Sequence, residues 1–187
     1  MNVMLLMIFL ITLVISIFYI SGKARADSGV LTLYFSWSRN SENIAENVQA
    51  NTGEAAIKIE PVVAYPLDYN KCLEKAKTEL KGNARPEVIN DPSVFDGYDK
   101  VILIVPNWWS CIPMPVVTLL ENGNLTGKSF YLICTHGGGG ISKVKSYVSS
   151  LLEKKGAKLI ESMNVTGDGG WKLPGDIEAW LRKNSLF

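Results

Sequence analysis

Histidine is nearly absent from this chain: His136 is the only one in 187 residues. That excludes His-rich metal centres and argues against a structural zinc site. Cysteine is scarce as well. Cys72, Cys111 and Cys134 are odd in number and show no CxxC spacing, which excludes a disulfide framework and leaves three small buried hydrophobes. No basic stripe runs along the chain, and the formal charge is only +1, so nucleic acid is excluded as a partner. There is no GxSxG elbow, so a serine hydrolase is not supported. Charge is missing altogether from the first 22 residues.

That charge-free start is filled by an apolar run. Residues 3 to 20 are interrupted only by Thr12, Ser16 and Tyr19. As a helix these residues would span about 27 Å, close to the roughly 30 Å of a bilayer core. Ala24-Arg25-Ala26 has the form of an export cleavage site and comes after the helix-breaking Ser21-Gly22 pair. Lys23 and Arg25 lie beyond the apolar run, however, and by the positive-inside rule they hold the rest of the chain on the cytoplasmic side. The expectation is a membrane anchor, with a cleaved signal peptide as the alternative. Residues 1–26 are therefore set apart from a domain at 28–187. Without Lys23 and Arg25, the remaining 161 residues hold 17 basic and 18 acidic side chains.

The apolar fraction of 47% suffices for one sizeable core. Strand-like runs at Val30–Phe35, Ala56–Glu60, Lys100–Val105, Ser129–Cys134 and Lys158–Val165 alternate with helical patterns. The helices are expected over Ser41–Ala50 with Ser41 as cap, Asp68–Lys81, Pro115–Glu121, Ser142–Lys155 and Asp176–Lys183. In Asp68–Lys81, the residues Cys72, Leu73, Ala76 and Leu80 form the apolar stripe. Five alternating units predict an open parallel sheet covered on both faces.

Ligands of such sheets sit outside the carboxyl ends of the strands. Three loops there have unusual composition. Ser36-Trp37-Ser38-Arg39-Asn40-Ser41 offers hydroxyls and amides where a helix begins, which suits a phosphate monoester or simply a capped turn. It is neither a GxxxxGK[ST] loop nor a GxGxxG loop. Pro106-Asn107-Trp108-Trp109 begins a loop that runs to Pro113. Its two adjacent indoles either stack on a planar ring or fill the core, and in extended chain they point opposite ways. Thr135-His136-Gly137-Gly138-Gly139-Gly140 brings either backbone amides close to a ligand or a flexible turn.

Together these segments resemble the flavodoxin family, in particular its short branch with a Ser-rich phosphate loop. The matches are Tyr34-Phe35-Ser36 with Ser38, Asn40 and Ser41; Pro106, Trp108 and Trp109; Pro113-Met114-Pro115; and Thr135 to Gly138. Ile59-Glu60-Pro61, with Tyr65-Pro66 and Asp68-Tyr69 after it, also fits. The resemblance covers roughly residues 30 to 165. It implies a three-layer α/β domain with strand order 2-1-3-4-5 and a bound FMN. By it, Ser36, Ser38, Asn40 and Ser41, in a loop that includes Trp37 and Arg39, hold the phosphate. Pro106, Asn107, Trp108 and Trp109 flank the ring on one side, and Thr135, His136, Gly137 and Gly138 face its other side. Arg39 stands where the family usually has glycine. It either strains the loop or screens the phosphate.

The resemblance implies an electron-transfer protein that passes electrons to a redox partner protein or a small acceptor. An NAD(P)H-dependent quinone or flavin reductase and a binding module without cofactor are the alternatives. No separate nicotinamide fingerprint is visible, which favours the carrier. Near-neutral charge departs from the acidic character of soluble flavodoxins and weakens electrostatic docking.

Overall fold

A computed structural model of the chain describes residues 29–166 and 174–187. The apolar run expected as an N-terminal helix, and with it the boundary at 26–28, lie outside these residues. No helix among the described residues is long and apolar enough to cross a membrane.

The alternating segments form five strands: β1 (Val30–Tyr34), β2 (Ala56–Lys58), β3 (Lys100–Pro106), β4 (Ser129–His136) and β5 (Lys158–Thr166). They make one parallel sheet in the order β2-β1-β3-β4-β5, the expected arrangement. Side chains alternate between its two faces. Leu31, Leu33, Val101, Leu103, Val105, Phe130, Leu132 and Cys134 belong to one core. Val30, Ile102, Ile104, Tyr131 and Ile133 belong to the other. Because both faces are buried, the central strands read as continuous apolar runs.

The first core is closed by α2 (Tyr69–Lys81), α3 (Met114–Asn122) and α4 (Ser142–Lys154), through residues such as Cys72, Val117, Leu120, Val144 and Val148. The second is closed by α1 (Asn40–Thr52) and α5 (Pro174–Lys183), through Ile44, Val48, Ile177 and Leu181. Each helix starts beside the carboxyl edge of the sheet, which gathers the loops of interest along one rim. Asp68 caps α2 by accepting the Lys71 N–H at 2.9 Å. Pro115 sits in the first turn of α3, where a missing N–H costs nothing.

Several boundaries, and one position of the α2 stripe, differ from expectation. The cap of α1 is Arg39, in the left-handed region at φ +72°, and Ser41 lies inside the helix. The second strand stops at Lys58, because beyond it the chain turns to pair Pro61 with Val88. Strand β4 runs on through Thr135 and His136, which pair with β3 and β5, so the glycine loop begins at Gly137. On α2, Leu73 is not buried with Cys72 and Ala76 but turns toward the loop rim. Strand β5 lies at one edge of the sheet and carries a bulge. Phe130 pairs with Leu159 but Tyr131 pairs with Glu161, which leaves Ile160 without a partner.

Candidate functional site

The three loops meet at the carboxyl edge. Phe35 leaves β1 with its N–H on the Ile104 carbonyl at 3.0 Å, which points the chain over the sheet rim. Ser36 Oγ is then buried with no hydrogen-bond partner among the described residues. The Trp37 indole donates to the Pro66 carbonyl at 2.9 Å, tying this loop to the approach of α2. Arg39 turns into the left-handed region and its carbonyl accepts the Asn43 N–H at 2.9 Å, which starts α1. Its guanidinium does not reach inward. It lies 3.3 Å from Glu42 and 3.6 Å from Glu46, with its side chain 70% exposed. Ser41 is buried, and its hydroxyl is 3.1 Å from that of Thr135, the penultimate residue of β4.

The second loop is held by Asn107. Its N–H donates to the Thr135 carbonyl at 2.7 Å and its side-chain amide donates to the Gly140 carbonyl at 2.7 Å. The amide oxygen in turn accepts the Ser110 N–H at 2.8 Å. One asparagine thus fastens both ring-side loops to each other. Directly after it, Trp108 and Cys111 exchange backbone bonds of 2.8 and 3.0 Å across a tight turn. The two central residues, Trp109 and Ser110, have φ of +56° and +67°. Glycine, asparagine or aspartate normally fills such positions, so the turn stores strain.

That turn separates the two indoles. Trp108 packs inward, edge-on to Phe35 at 5.3 Å and to Tyr65 at 5.0 Å. Behind it, Tyr65 hydrogen-bonds Glu79, and burial together with that carboxylate raises the phenol's pKa far above its ordinary value. Trp109 is 46% exposed, donates to the Leu73 carbonyl at 3.3 Å and stacks under the Lys77 ammonium at 4.9 Å.

In the third loop, His136 Nδ1 accepts the Gly138 N–H at 2.9 Å, and Nε2 meets Asn164 Oδ1 on β5. Gly138 needs φ +119°, a region that side chains rarely adopt. At Gly139 a Cβ would come within 3.3 Å of the Asn107 amide.

Between these loops lies a cleft of about 490 Å³. Ser38 and Asn40 line it from the first loop, and Pro106, Asn107, Trp108 and Trp109 from the second. Thr135, His136 and Gly137 line it from the end of β4, and Tyr69 and Leu73 close it from α2. Ser36 and Trp37 instead border a neighbouring hollow of about 400 Å³ toward β2, with Ile59, Val62 and Tyr65. Arg39, Ser41 and Gly138 are not among the lining residues of either. Three residues escape the sequence reading. Tyr69 belongs to the matched family pattern but without a site role, Leu73 looks like an ordinary helix position, and no local signal marks Asn164. All three cysteines are buried: burial raises the thiol pKa of Cys72 and Cys111, and carries that of Cys134 to about 12.

A phosphate monoester attached to a flat heterocycle fits this arrangement. Ser38, Asn40 and the start of α1 offer donors to the phosphate at the cleft, and the buried Ser36 hydroxyl, without a partner among the described residues, lies at the adjoining hollow. A partly exposed indole and a glycine backbone border the space beside them.

Comparison with known proteins agrees with this reading. The sequence profile of the Flavodoxin family matches residues 29–166. No curated protein matches the chain. Among solved structures, a candidate flavoprotein of Bacteroides eggerthii DSM 20697 superposes with a TM-score of 0.69 at 24% identity, covering 83% of this chain and 97% of that one. A flavoprotein of Lactobacillus acidophilus NCFM in complex with FMN gives 0.64 at 21% identity, covering 72% and 91%. A Fusobacterium nucleatum flavodoxin bound to flavin mononucleotide gives 0.53 at 12% identity, covering 83% and 96%.

Proposed function

The chain belongs to the flavodoxin family, and from that premise we propose that it binds FMN at the carboxyl edge of its sheet and serves as an electron carrier. The observation that carries this reading is the cleft lined jointly by Ser38 and Asn40, Trp109, and Thr135 to Gly137. Ser36, Ser38, Asn40 and the first N–H groups of α1 would hold the phosphate. Trp109 and the backbone at Gly137 would border the ring. Ser41 supports the seat from below through Thr135.

FMN, when bound, supplies the electron-accepting group. The protein's contribution is the surroundings. No lysine, arginine or carboxylate is among the described residues lining the cleft. Negative charge added there meets aromatic faces and neutral amides, which disfavour it and lower the potential. The partner would be a redox protein or a small acceptor reaching the rim formed by Tyr69 and Trp109.

Gly29 leads into β1 at the amino edge of the sheet, opposite the cleft. Residues 3 to 20 are proposed to tether the domain to a membrane. Sequencing the N-terminus of the mature chain separates an anchor from a cleaved signal.

Reconstituting the purified chain with FMN tests the main reading. The expected result is a flavin visible spectrum that stays with the protein through gel filtration, with quenched flavin fluorescence. Loss of all flavin on the column overturns it. Oxidation of NADPH by the holoprotein without a partner would replace the carrier with a reductase.

A further inference from the structure

His136 is the sole histidine, and both of its ring nitrogens are engaged by the protein. Nδ1 accepts the Gly138 N–H at 2.9 Å, and Nε2 lies against Asn164 Oδ1. A backbone N–H can only donate, so Nδ1 carries a lone pair there. A neutral imidazole then has its single proton on Nε2, and that proton needs an acceptor, which Asn164 Oδ1 supplies. One proton placement satisfies both contacts.

Asn164 reaches the ring because of the bulge in β5. Up to Leu159 the strand pairs with β4 in one register. After Ile160 is left out, Cys134 faces Asn164 and His136 faces Thr166. Residues paired across a sheet share a face, so Asn164 lies on the face of Cys134 and of His136 two residues on. It meets the ring as the diagonal neighbour. Without the extra residue, Asn164 would pair with Thr135 and point to the opposite face. The bulge re-aims this one side chain.

We infer that Asn164 is a positioning residue that holds His136 as its Nε2–H tautomer, so that Nδ1 anchors Gly138 and sets the glycine loop beside the cleft. A second proton on the ring would turn Nδ1 into a donor facing another donor and release Gly138. Of other titratable groups, Tyr69 of α2 lines the same cleft and Glu161 of β5 is engaged with Lys183; neither is hydrogen-bonded to the ring. Cys134, on the shared face, keeps its proton. The inference extends to FMN only if the proposed function holds.

The experiment uses the full chain, with and without FMN, as wild type, Asn164→Leu and Asn164→Asp. Asn164 is exposed on an edge strand, so neither change opens the core. Imidazole nitrogen NMR in the cofactor-free chain is expected to show Nδ1 as acceptor and Nε2 as donor in the wild type and in Asn164→Asp. Asn164→Leu should mix the tautomers and shift the Gly138 amide. With FMN, Asn164→Leu should weaken binding about two- to tenfold, the span of one hydrogen bond. Equal tautomer populations in wild type and Asn164→Leu overturn the inference. An unchanged FMN affinity in Asn164→Leu overturns its extension to the cofactor. Failure of the wild type to take up FMN overturns the proposed function instead, and the tautomer measurement still decides the role of Asn164.

Discussion

The hydroxyls of Ser41 and Thr135 meet 3.1 Å apart in a buried position, although 94 residues separate them in the chain. The contact joins the first turn of α1 to the end of β4 and so holds the phosphate-side loop against the ring-side loop. Thr135→Val leaves the Ser41 hydroxyl buried and unpaired, at a cost of about 1–3 kcal/mol. The double variant Ser41→Ala/Thr135→Val should recover most of that loss. Urea unfolding of the four proteins in a double-mutant cycle measures the coupling. Additive effects would show that the two hydroxyls do not depend on each other.

The two tryptophans should separate cleanly. Trp108 packs edge-on between Phe35 and Tyr65. Trp108 is partly buried and also lines the cleft, so Trp108→Ala should lose about 3 kcal/mol of stability at most, the lower end for large aromatic truncations. Trp109 is at the cleft rim, and Trp109→Leu should leave the unfolding midpoint nearly unchanged. It should weaken FMN binding about two- to tenfold, the value of a lost stacking contact. Denaturation together with fluorescence titration distinguishes these outcomes.

Arg39→Gly should stabilise the fold. Arginine at φ +72° carries a left-handed penalty of about 1–2 kcal/mol, and its exposed pairs with Glu42 and Glu46 return less than that. The net gain should be about 1 kcal/mol in urea unfolding. The change also strips the cation from Glu42 in the first turn of α1. FMN binding at low salt should then weaken about threefold, and the difference should vanish at about 0.5 M salt as the charges are screened.

Acid should act through Glu121. The Arg85 guanidinium beside it holds its carboxyl below the ordinary value of 4.5. A carboxylate with a lowered pKa in the fold contributes stability above its unfolded pKa and loses it as pH falls through the folded one. The wild type should therefore exceed Glu121→Gln at about pH 6, and the gap should close below about pH 4.5. The pair is partly solvated, so the gap should stay under about 1 kcal/mol. Urea midpoints across that range provide the check.

The three thiols should be silent in the native state. Burial favours the neutral form of all three, most strongly for Cys134. A thiol reagent at about pH 8 should label none of them until denaturant is added, because the thiolate is the reactive species.

Strand positions were legible because both faces of the sheet are buried, while their order came only with the family resemblance. Runs such as Lys100–Val105 have no other reading once helices alternate with them. The loops at the strand ends were legible from composition, since clustered serines, paired indoles and consecutive glycines are unusual wherever they fall. Boundaries were less so. Thr135 and His136 read as loop beside four glycines, yet pairing on both sides keeps them in β4. Ser41 reads as a helix cap, but its hydroxyl is taken by a residue from another strand.

The sequence by itself determined the alternation of elements, the family, and which three segments border the cleft, because these come from local pattern and from residue types with few other uses. Only the tertiary structure decided which indole faces outward, that Arg39 turns away onto Glu42 and Glu46, and that Asn164 meets His136. Each of those depends on a backbone twist or a one-residue bulge. Such features reverse the direction of a side chain without leaving any mark in the order of residue types.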